Sequence, residues 1–570
     1  MDLETALLSG SFYLGRNDVK VDNTQTVLKI TGDKLSNHTK DNPLLLTPNH
    51  SAKEGTVVAS CNSEAAAAAI AAVTKSGDGS YCIVQDGKNL VVAYATADMD
   101  MTGADTITVS NFKQLKAAVE GTTSKRNIII SGDIVFTERI RLPGGVTIRI
   151  QDDGTKRILT RAKGFTDNMF VTHYGTGLYL EATQQGNLVL DGTYADPEAI
   201  LSPLVRTAGS TVMRNVTLCN NGVATGTDDV RGALFRQLAG DFRIYDSLLT
   251  GGSCNSGGAI MLDKGTGYIE NSILSNNTSV IGAGAVRAAA NTQLEIVNSI
   301  FDGNHAGSSG GAIVAVGGAK VTISDTKFTN NTAKSSGGVI LVQDTGTTVV
   351  LKGTSDNAVI SGNSSDKGGV FNVHSKGELT VNGYTITGNN ANKGAVIYST
   401  SPVTVTETTF EKNTAKNEGG VIYAAAGSNI AIEKCSFTQN TGSTGGGAVY
   451  VEAGATVETE NSVFEANTSG TNGNGGAIHT KGTYTDTNSA YTNNSGKNGG
   501  AIAVLGGGKA TLTGTDTNAV FSGNSATAKG GAVFINSGNC IGTVEGYTFA
   551  AWDCNSFSPS AISKYVIAEL

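Results

Sequence analysis

The sequence predicts an all-β chain wound into a right-handed, single-stranded parallel β-helix, and three observations carry that prediction. A Gly-Gly step followed by a small and then a β-branched or apolar residue recurs down the chain. An apolar residue, usually Phe, followed three positions later by Asn recurs in phase with it. Between these marks lie short β-branched runs broken by Gly, Asn and Ser, with no helix-period stripe.

The glycine mark reads GGAI at Gly257, GAGAV at Gly282, GGAI at Gly310, GGVI at Gly337 and GGVF at Gly368. It continues as KGAVI at Lys393, GGVI at Gly419, GGAV at Gly446, GGAI at Gly475 and Gly499, and GGAV at Gly530. Successive steps lie 24 to 31 residues apart, around a unit of about 27. The second mark pairs Leu274 with Asn277, Phe301 with Asn304, Phe328 with Asn331, Ile360 with Asn363 and Ile386 with Asn389. It then pairs Phe410 with Asn413, Phe437 with Asn440, Phe464 with Asn467, Tyr491 with Asn494 and Phe521 with Asn524.

One unit, Gly310 to Ser336, shows the physics. AIVAV and VTISDTKF are strand-length runs, and Val321, Ile323 and Phe328 are the apolar residues of the second. A single unit has no partner for that apolar face, whereas stacked units share one core. Gly at a corner accepts positive φ or leaves room for the adjacent coil's backbone. Asn tolerates the left-handed region, and its amide can bond the Asn above and below. At about 4.8 Å per coil, roughly sixteen coils are expected.

Composition agrees. The 570 residues include 74 Gly but only 7 Pro, 6% aromatic and 16% charged residues, too few large apolar side chains for several globular cores. The net charge is −8 with no basic stripe, which argues against nucleic-acid binding. No apolar run reaches the length of a membrane helix, and MDLETALLSG lacks the basic start and apolar core of a secretory leader.

Three regions are expected: a small N-terminal cap or attachment module over 1–104, the β-helix over 105–540, and a C-terminal capping segment over 541–570. Within the first, EAAAAAIAAVTK (Glu64 to Lys75) reads as helix, and LLSGSFYL and YCIVQDGKNLVVAYA read as strands. SNFKQLKAAVEG, with Ser110 or Asn111 as cap, Phe112, Leu115 and Val119 as apolar stripe and Gly121 as stop, is expected to be a capping helix over the first coil. Seven Cys are spaced so that Cys61 with Cys82, Cys219 with Cys254, and Cys540 with Cys554 could close loops, leaving Cys435; buried free thiols are the equal alternative.

The coupling of GG[A/V]I to FxxN resembles the passenger repeats of chlamydial polymorphic outer-membrane proteins and related surface proteins with pectin-lyase-like β-helices. SNFKQLKAAVEG, NIIISGDIVF and VTIRI resemble the start of the β-helical domain in large surface proteins of Gram-positive bacteria. Together the likenesses cover roughly 105–540. They imply adhesion or surface display, with a host or neighbouring-cell surface, a glycan or a protein as partner and an extracellular location. Neither an autotransporter-like strand run nor a sorting tail is seen in the sequence.

Many β-helices act on polysaccharides, so catalytic clusters matter. The nearest candidate is TGTDDVRG, where Asp228, Asp229 and Arg231 cluster; the carboxylates could form an acid/base pair or bind a cation only in a turn, because strand neighbours point to opposite faces. A solvated turn is the favoured reading. His38, His50, His173, His305, His374 and His479 lack metal-ligand spacing, and no Gly-rich step completes a phosphate loop. Catalytic, cofactor-binding and metal roles are therefore assigned to no residue, and a non-enzymatic adhesive protein is the expectation. A lyase, hydrolase or tailspike is the alternative. The irregular stretch from about 160 to 256 is the place where a site would sit.

Overall fold

The computed structural model describes residues 101–193, 200–222, 230–536 and 538–550, with shorter stretches at 18–21, 28–30, 44–48, 57–71, 74–75 and 81–94. The chain divides into two compact units, Met1–Thr102 and Gly103–Leu570.

In the first unit Asp18–Val21, Leu44–Pro48 and Thr74–Lys75 form a parallel three-stranded sheet. Tyr81–Asp86 and Asn89–Tyr94 form an antiparallel hairpin that extends a second sheet through Val57–Cys61 to Leu28–Ile30. The predicted alanine helix is present over Glu64–Ala71; it starts where the Ser63 hydroxyl accepts from the Ala66 N–H and buries Ala66, Ala67 and Ile70. LLSGSFYL lies outside the described residues.

The second unit is the predicted parallel β-helix. Each regular coil contributes one strand to each of three sheets and, over much of the length, a short fourth ladder. In the coil after Gly310, Ile313–Val316 joins the third sheet, Lys320–Ser324 the first, Lys327–Thr329 the second, and Thr332–Ala333 the short ladder. The second sheet has 16 strands and the third 15, all parallel. Pairings in the first sheet run from Asp105–Val109 through Lys125–Ile130 to Ile541–Glu545, an open ladder.

The alternation in sequence is the alternation of faces. In Lys320–Ser324, Val321 and Ile323 are buried while Lys320 is exposed. Phe328 in the next strand occupies one slot repeated from coil to coil: Phe410, Phe437, Phe464, Tyr491, Phe521 and Phe549 stack with ring centroids 4.7 to 5.0 Å apart. That spacing is the strand separation itself, so backbone pairing and ring stacking reinforce one register.

The corner residues behave as their chemistry requires. Asn330 takes φ 56° and turns the chain, and Asn331 then points inward and is fully buried. Its Oδ1 accepts from the Asn304 backbone N–H at 3.1 Å and from Asn304 Nδ2 at 2.9 Å. Its Nδ2 donates to the Phe301 carbonyl at 2.9 Å and to Asn363 Oδ1 at 3.1 Å. The same pattern links Asn277 to Asn524 without a break. At the glycine corner, Gly310 has φ 68°, and a Cβ on Gly311 would sit 2.0 Å from the Gly338 carbonyl oxygen. The pair is Gly for two reasons, conformation at the first position and space at the second.

A second polar ladder runs at the opposite corner. The Ser272 hydroxyl accepts from the Ser247 N–H at 3.1 Å and donates to the Glu270 carbonyl at 2.7 Å. Ser299, Thr326, Ser462 and Ser489 repeat the acceptor role one coil at a time. Cys435 occupies the same slot, its Sγ 3.2 Å from the Glu433 carbonyl.

The capping helix spans Phe112–Glu120. Asn111 is its cap, accepting from the Gln114 N–H at 3.1 Å, and Leu115, Ala118 and Val119 are buried with the solenoid core. Phe112 meets Phe136 edge-on at 5.3 Å. The possible disulfides do not form: Cys61, Cys219, Cys254 and Cys540 are free thiols, as is Cys435, and all but Cys540 are buried. Burial pushes Cys219 up to about 12 and Cys435 to about 11, so neither is a nucleophile at neutral pH. Cys554 lies outside the described residues.

Candidate functional site

Asp228 and Asp229 lie outside the described residues; Arg231 follows them and bridges backbone-to-backbone with Ser256. His38 and His50 also lie outside. His305 bonds the Thr332 hydroxyl at 2.8 Å and His374 the Ser375 hydroxyl at 2.8 Å. His479 is buried with both ring nitrogens unpartnered, and burial drives its pKa down to about 3, so it is a neutral packed ring. Among the described residues no three His, Cys, Asp or Glu side chains converge as a metal site, and no helix is long and apolar enough to cross a membrane.

The dense cluster of charged and aromatic side chains lies instead on the outer face of the first sheet, in the coils where the sequence period is blurred. Parallel register places Asn127, Arg149, Tyr179, Val212, Arg243, Tyr268 and Glu295 in one column. Glu181, Arg214, Tyr245 and Glu270 form the column beside it. Arg149 Nε donates to Asn127 Oδ1 at 2.9 Å, and its Nη1 lies 3.4 Å from Glu181. The Arg214 guanidinium sits 4.8 Å over the Tyr245 ring, which lies 5.7 Å from the Tyr268 ring. The Tyr268 hydroxyl donates to Glu270 at 3.2 Å.

Burial works against the Arg214 charge, but the Tyr179 hydroxyl and nearby Glu181 outweigh it and keep this guanidinium above its ordinary pKa. Burial raises the Tyr245 and Tyr268 hydroxyls, the latter further because Glu270 and Glu295 oppose a phenolate. The carboxylates are thus engaged, Glu181 with Arg149 and Glu270 with Tyr268. The centre is closed, with Tyr179, Val212 and Arg243 buried, and the rim residues are half-buried. Such a patch offers planar donors and ring faces to a polar ligand. Further along the first of these columns stand Thr322, Val350, Thr380 and Thr404, which offer none of this.

A second outward column lies on the third sheet. It begins with Arg141 and Val171 and continues with Arg206, Arg236, Met261 and Arg287 in successive coils. Further on it carries Tyr398, Tyr423, Tyr450 and His479. The tyrosines stack at 5.1 and 4.9 Å, the His479 ring meets Tyr450 edge-on at 4.8 Å, and Lys393 Nζ lies 4.6 Å over Tyr423. Tyr423 and Tyr450 point outward yet are buried, and the chain leading into the glycine corner packs on the next ring of the column: a Cβ on Gly445 would meet His479 Nδ1 at 2.2 Å. This part of the column is an outer core. The repeated signal GAVIYS, GGVIYA, GGAVYV, GGAIHT carries it, but the residue after Ile or Val reads as surface when only one face of a strand is assumed buried.

With these features in place, five stretches of the chain, residues 298–316, 325–343, 407–425, 434–452 and 518–536, match the Chlamydia polymorphic membrane protein repeat. Each runs from the corner before the Phe strand, through the ladder Asn and the glycine corner, into the third sheet. No curated protein and no solved structure matches the chain. The chain is a parallel β-helix that carries, in several of its coils, stretches matching the Chlamydia polymorphic membrane protein repeat.

Proposed function

We propose that the protein is a bacterial surface-displayed attachment module, a non-catalytic β-helix that presents its sheet faces to a glycan or protein on a host or neighbouring cell. The observation that carries this reading is the polymorphic-membrane-protein repeat at five places, falling on the residues that make the coils stack. A solenoid of this kind spreads a large face over many coils, which suits many weak contacts in parallel. The test is binding of the labelled protein to intact cells and to a glycan array. Saturable binding competed by unlabelled protein supports the reading, and no binding to any such surface overturns it.

The first-sheet patch around Arg149, Glu181, Arg214 and Tyr268 favours a second reading, a carbohydrate-active β-helix. Release of unsaturated or reducing ends from an acidic polysaccharide, lost in Glu181→Gln or in Asp228→Ala/Asp229→Ala, would establish it in place of the first.

A further inference from the structure

The arginines on the third sheet gather like charge on one face of the solenoid. Arg206 and Arg236 are register partners on adjacent parallel strands, so two guanidinium groups share a face at the strand separation of about 4.8 Å. Like charges placed directly across strands repel. Arg287 follows two strands later, with Met261 between. Asp263 pairs with Arg236 Nε at 2.7 Å. Arg287 has no such partner among the described residues; its Nη1 donates to the Ser256 hydroxyl at 3.3 Å. Ser256 is in turn the backbone partner of Arg231, which brings a fourth guanidinium to the corner. Burial, and after it the Arg231 charge, press the Arg287 guanidinium below its ordinary pKa. In a chain of net charge −8, the three register-aligned arginines gather on one strip; among the described residues Asp263 is in ion-pair contact with Arg236, and Asp263 and Asp344 act on Arg287 from further off.

Half-buried guanidinium groups with planar donors complement a carboxylate or sulfate, which they bind through paired charge-assisted hydrogen bonds. We infer that the outer face of the third sheet at Arg206, Arg236 and Arg287 is a binding site for the acidic groups of a glycan chain. The strip covers three strand steps, about 14 Å, which is the reach of a short oligosaccharide segment. Past Arg287 the column continues with Val314, Leu341 and Asn372, which offer a longer polyphosphate no further cation on that side. The glycan class rests on the attachment reading above; the anion site rests on the arginines alone.

The experiment is calorimetric titration of the whole chain with inorganic sulfate, a neutral oligosaccharide, a uronic-acid oligosaccharide of the same length, and duplex DNA. Arg206→Gln, Arg287→Gln and, on a different sheet, the exposed Lys320→Gln are titrated beside it, with melting curves to verify folding. The expected result is salt-sensitive binding of the uronic-acid oligosaccharide, weakened about tenfold or more in the first two variants and unchanged in Lys320→Gln. Equal binding by all proteins, no binding, preference for the neutral sugar, tighter binding of DNA, or binding of sulfate without the oligosaccharide would each overturn the inference. If the protein attaches to cells and the arginine variants attach equally well, the attachment reading stands and this inference falls. Arginine-dependent oligosaccharide binding without cell attachment would instead uphold the anion site and remove the attachment reading.

Discussion

Replacing Asn413 by Ala tests the ladder that defines this fold. Asn413 Oδ1 accepts from the Asn389 backbone N–H at 3.0 Å and from Asn389 Nδ2 at 3.0 Å. Its Nδ2 donates to the Ile386 carbonyl at 2.9 Å and to Asn440 Oδ1 at 3.1 Å. Truncation orphans the Asn389 backbone N–H, takes one bond each from Asn389 Nδ2 and the Ile386 carbonyl, all buried, and leaves Asn389 Nδ2 its bond to the Ile360 carbonyl at 3.0 Å, while Asn440 Oδ1 keeps the bond from the residue 413 backbone N–H. The orphaned N–H costs ~1–3 kcal/mol and each of the two lost bonds ~0.5–1.5 kcal/mol, so the sum is ~2–6 kcal/mol. The exposed Thr409→Ala, one strand earlier, should stay within ~0.5 kcal/mol of the parent. Urea unfolding gives the two differences, and hydrogen exchange locates them: protection should fall in the coils holding Asn389, Asn413 and Asn440 and persist several coils away. Asn413→Asp sets a carboxylate oxygen against Asn440 Oδ1, so its cost should be large at neutral pH and shrink on acidification, when a protonated oxygen can donate again. If Asn413→Ala costs no more than Thr409→Ala, the ladder is a by-product of stacking and the reasoning fails.

Phe437→Ala removes a ring stacked at 4.7 and 4.8 Å between two others and should cost ~3–5 kcal/mol in the same urea assay; a loss below ~1 kcal/mol would mean that the stack collapses without penalty. Tyr384→Phe deletes the hydroxyl that accepts from the Thr326 N–H at 3.2 Å and should cost ~1–3 kcal/mol, with faster exchange of that amide as the local readout. Asp486 is buried beside Thr459 and Tyr547, and burial raises its pKa. A raised folded value means that its stabilising contribution is complete below the ordinary carboxylate range, near pH 4, and is lost as pH rises through the folded value. Asp486→Asn should therefore flatten the fall in melting temperature between pH 4 and pH 8, and identical slopes for both proteins would contradict this. Gly447→Ala would place a methyl 2.1 Å from the Gly476 carbonyl oxygen and should abolish soluble folded protein or cost over ~4 kcal/mol.

The coils are legible in the sequence because their marks are stereochemical. A Gly that must leave room for a carbonyl, an Asn that must turn left and a Phe that must fill one slot have few substitutes, so they recur. The hydroxyl ladder is hidden because its slot accepts Ser, Thr or Cys, each ordinary in a turn. Tyr384 and Tyr547 are hidden for another reason. Each sits one coil beyond a loop inserted at GTSDNA or GTDTNA, and its hydroxyl reaches back two coils to Thr326 or Ser489, where the inserted coil supplies no small hydroxyl. The first-sheet patch shows in the sequence only as a stretch of chain. Its members lie some 20 to 30 residues apart and meet through register, which the blurred period between 105 and 256 does not fix. The equal alternative for the cysteines, buried free thiols, is the one adopted at Cys61, Cys219, Cys254 and Cys435, and Cys435 shows why: its slot calls for a small donor, not a cross-link.

The forward direction of the asparagine ladder has a mechanical meaning. Every amide from Asn277 to Asn494 donates to the oxygen of the coil that follows, and apart from the two-coil reach of Tyr384 and Tyr547 each coil is held by its two neighbours. Tension applied between the ends of the solenoid would therefore load these layers in series, and the weakest terminal layer would yield before the interior feels a break. A freed unit of about 27 residues pays out roughly 90 Å of extended chain in exchange for a single ~4.8 Å layer. Under tension such a tether would lengthen in small, reversible steps and dissipate force coil by coil, where a globular linker of equal mass would rupture in one event.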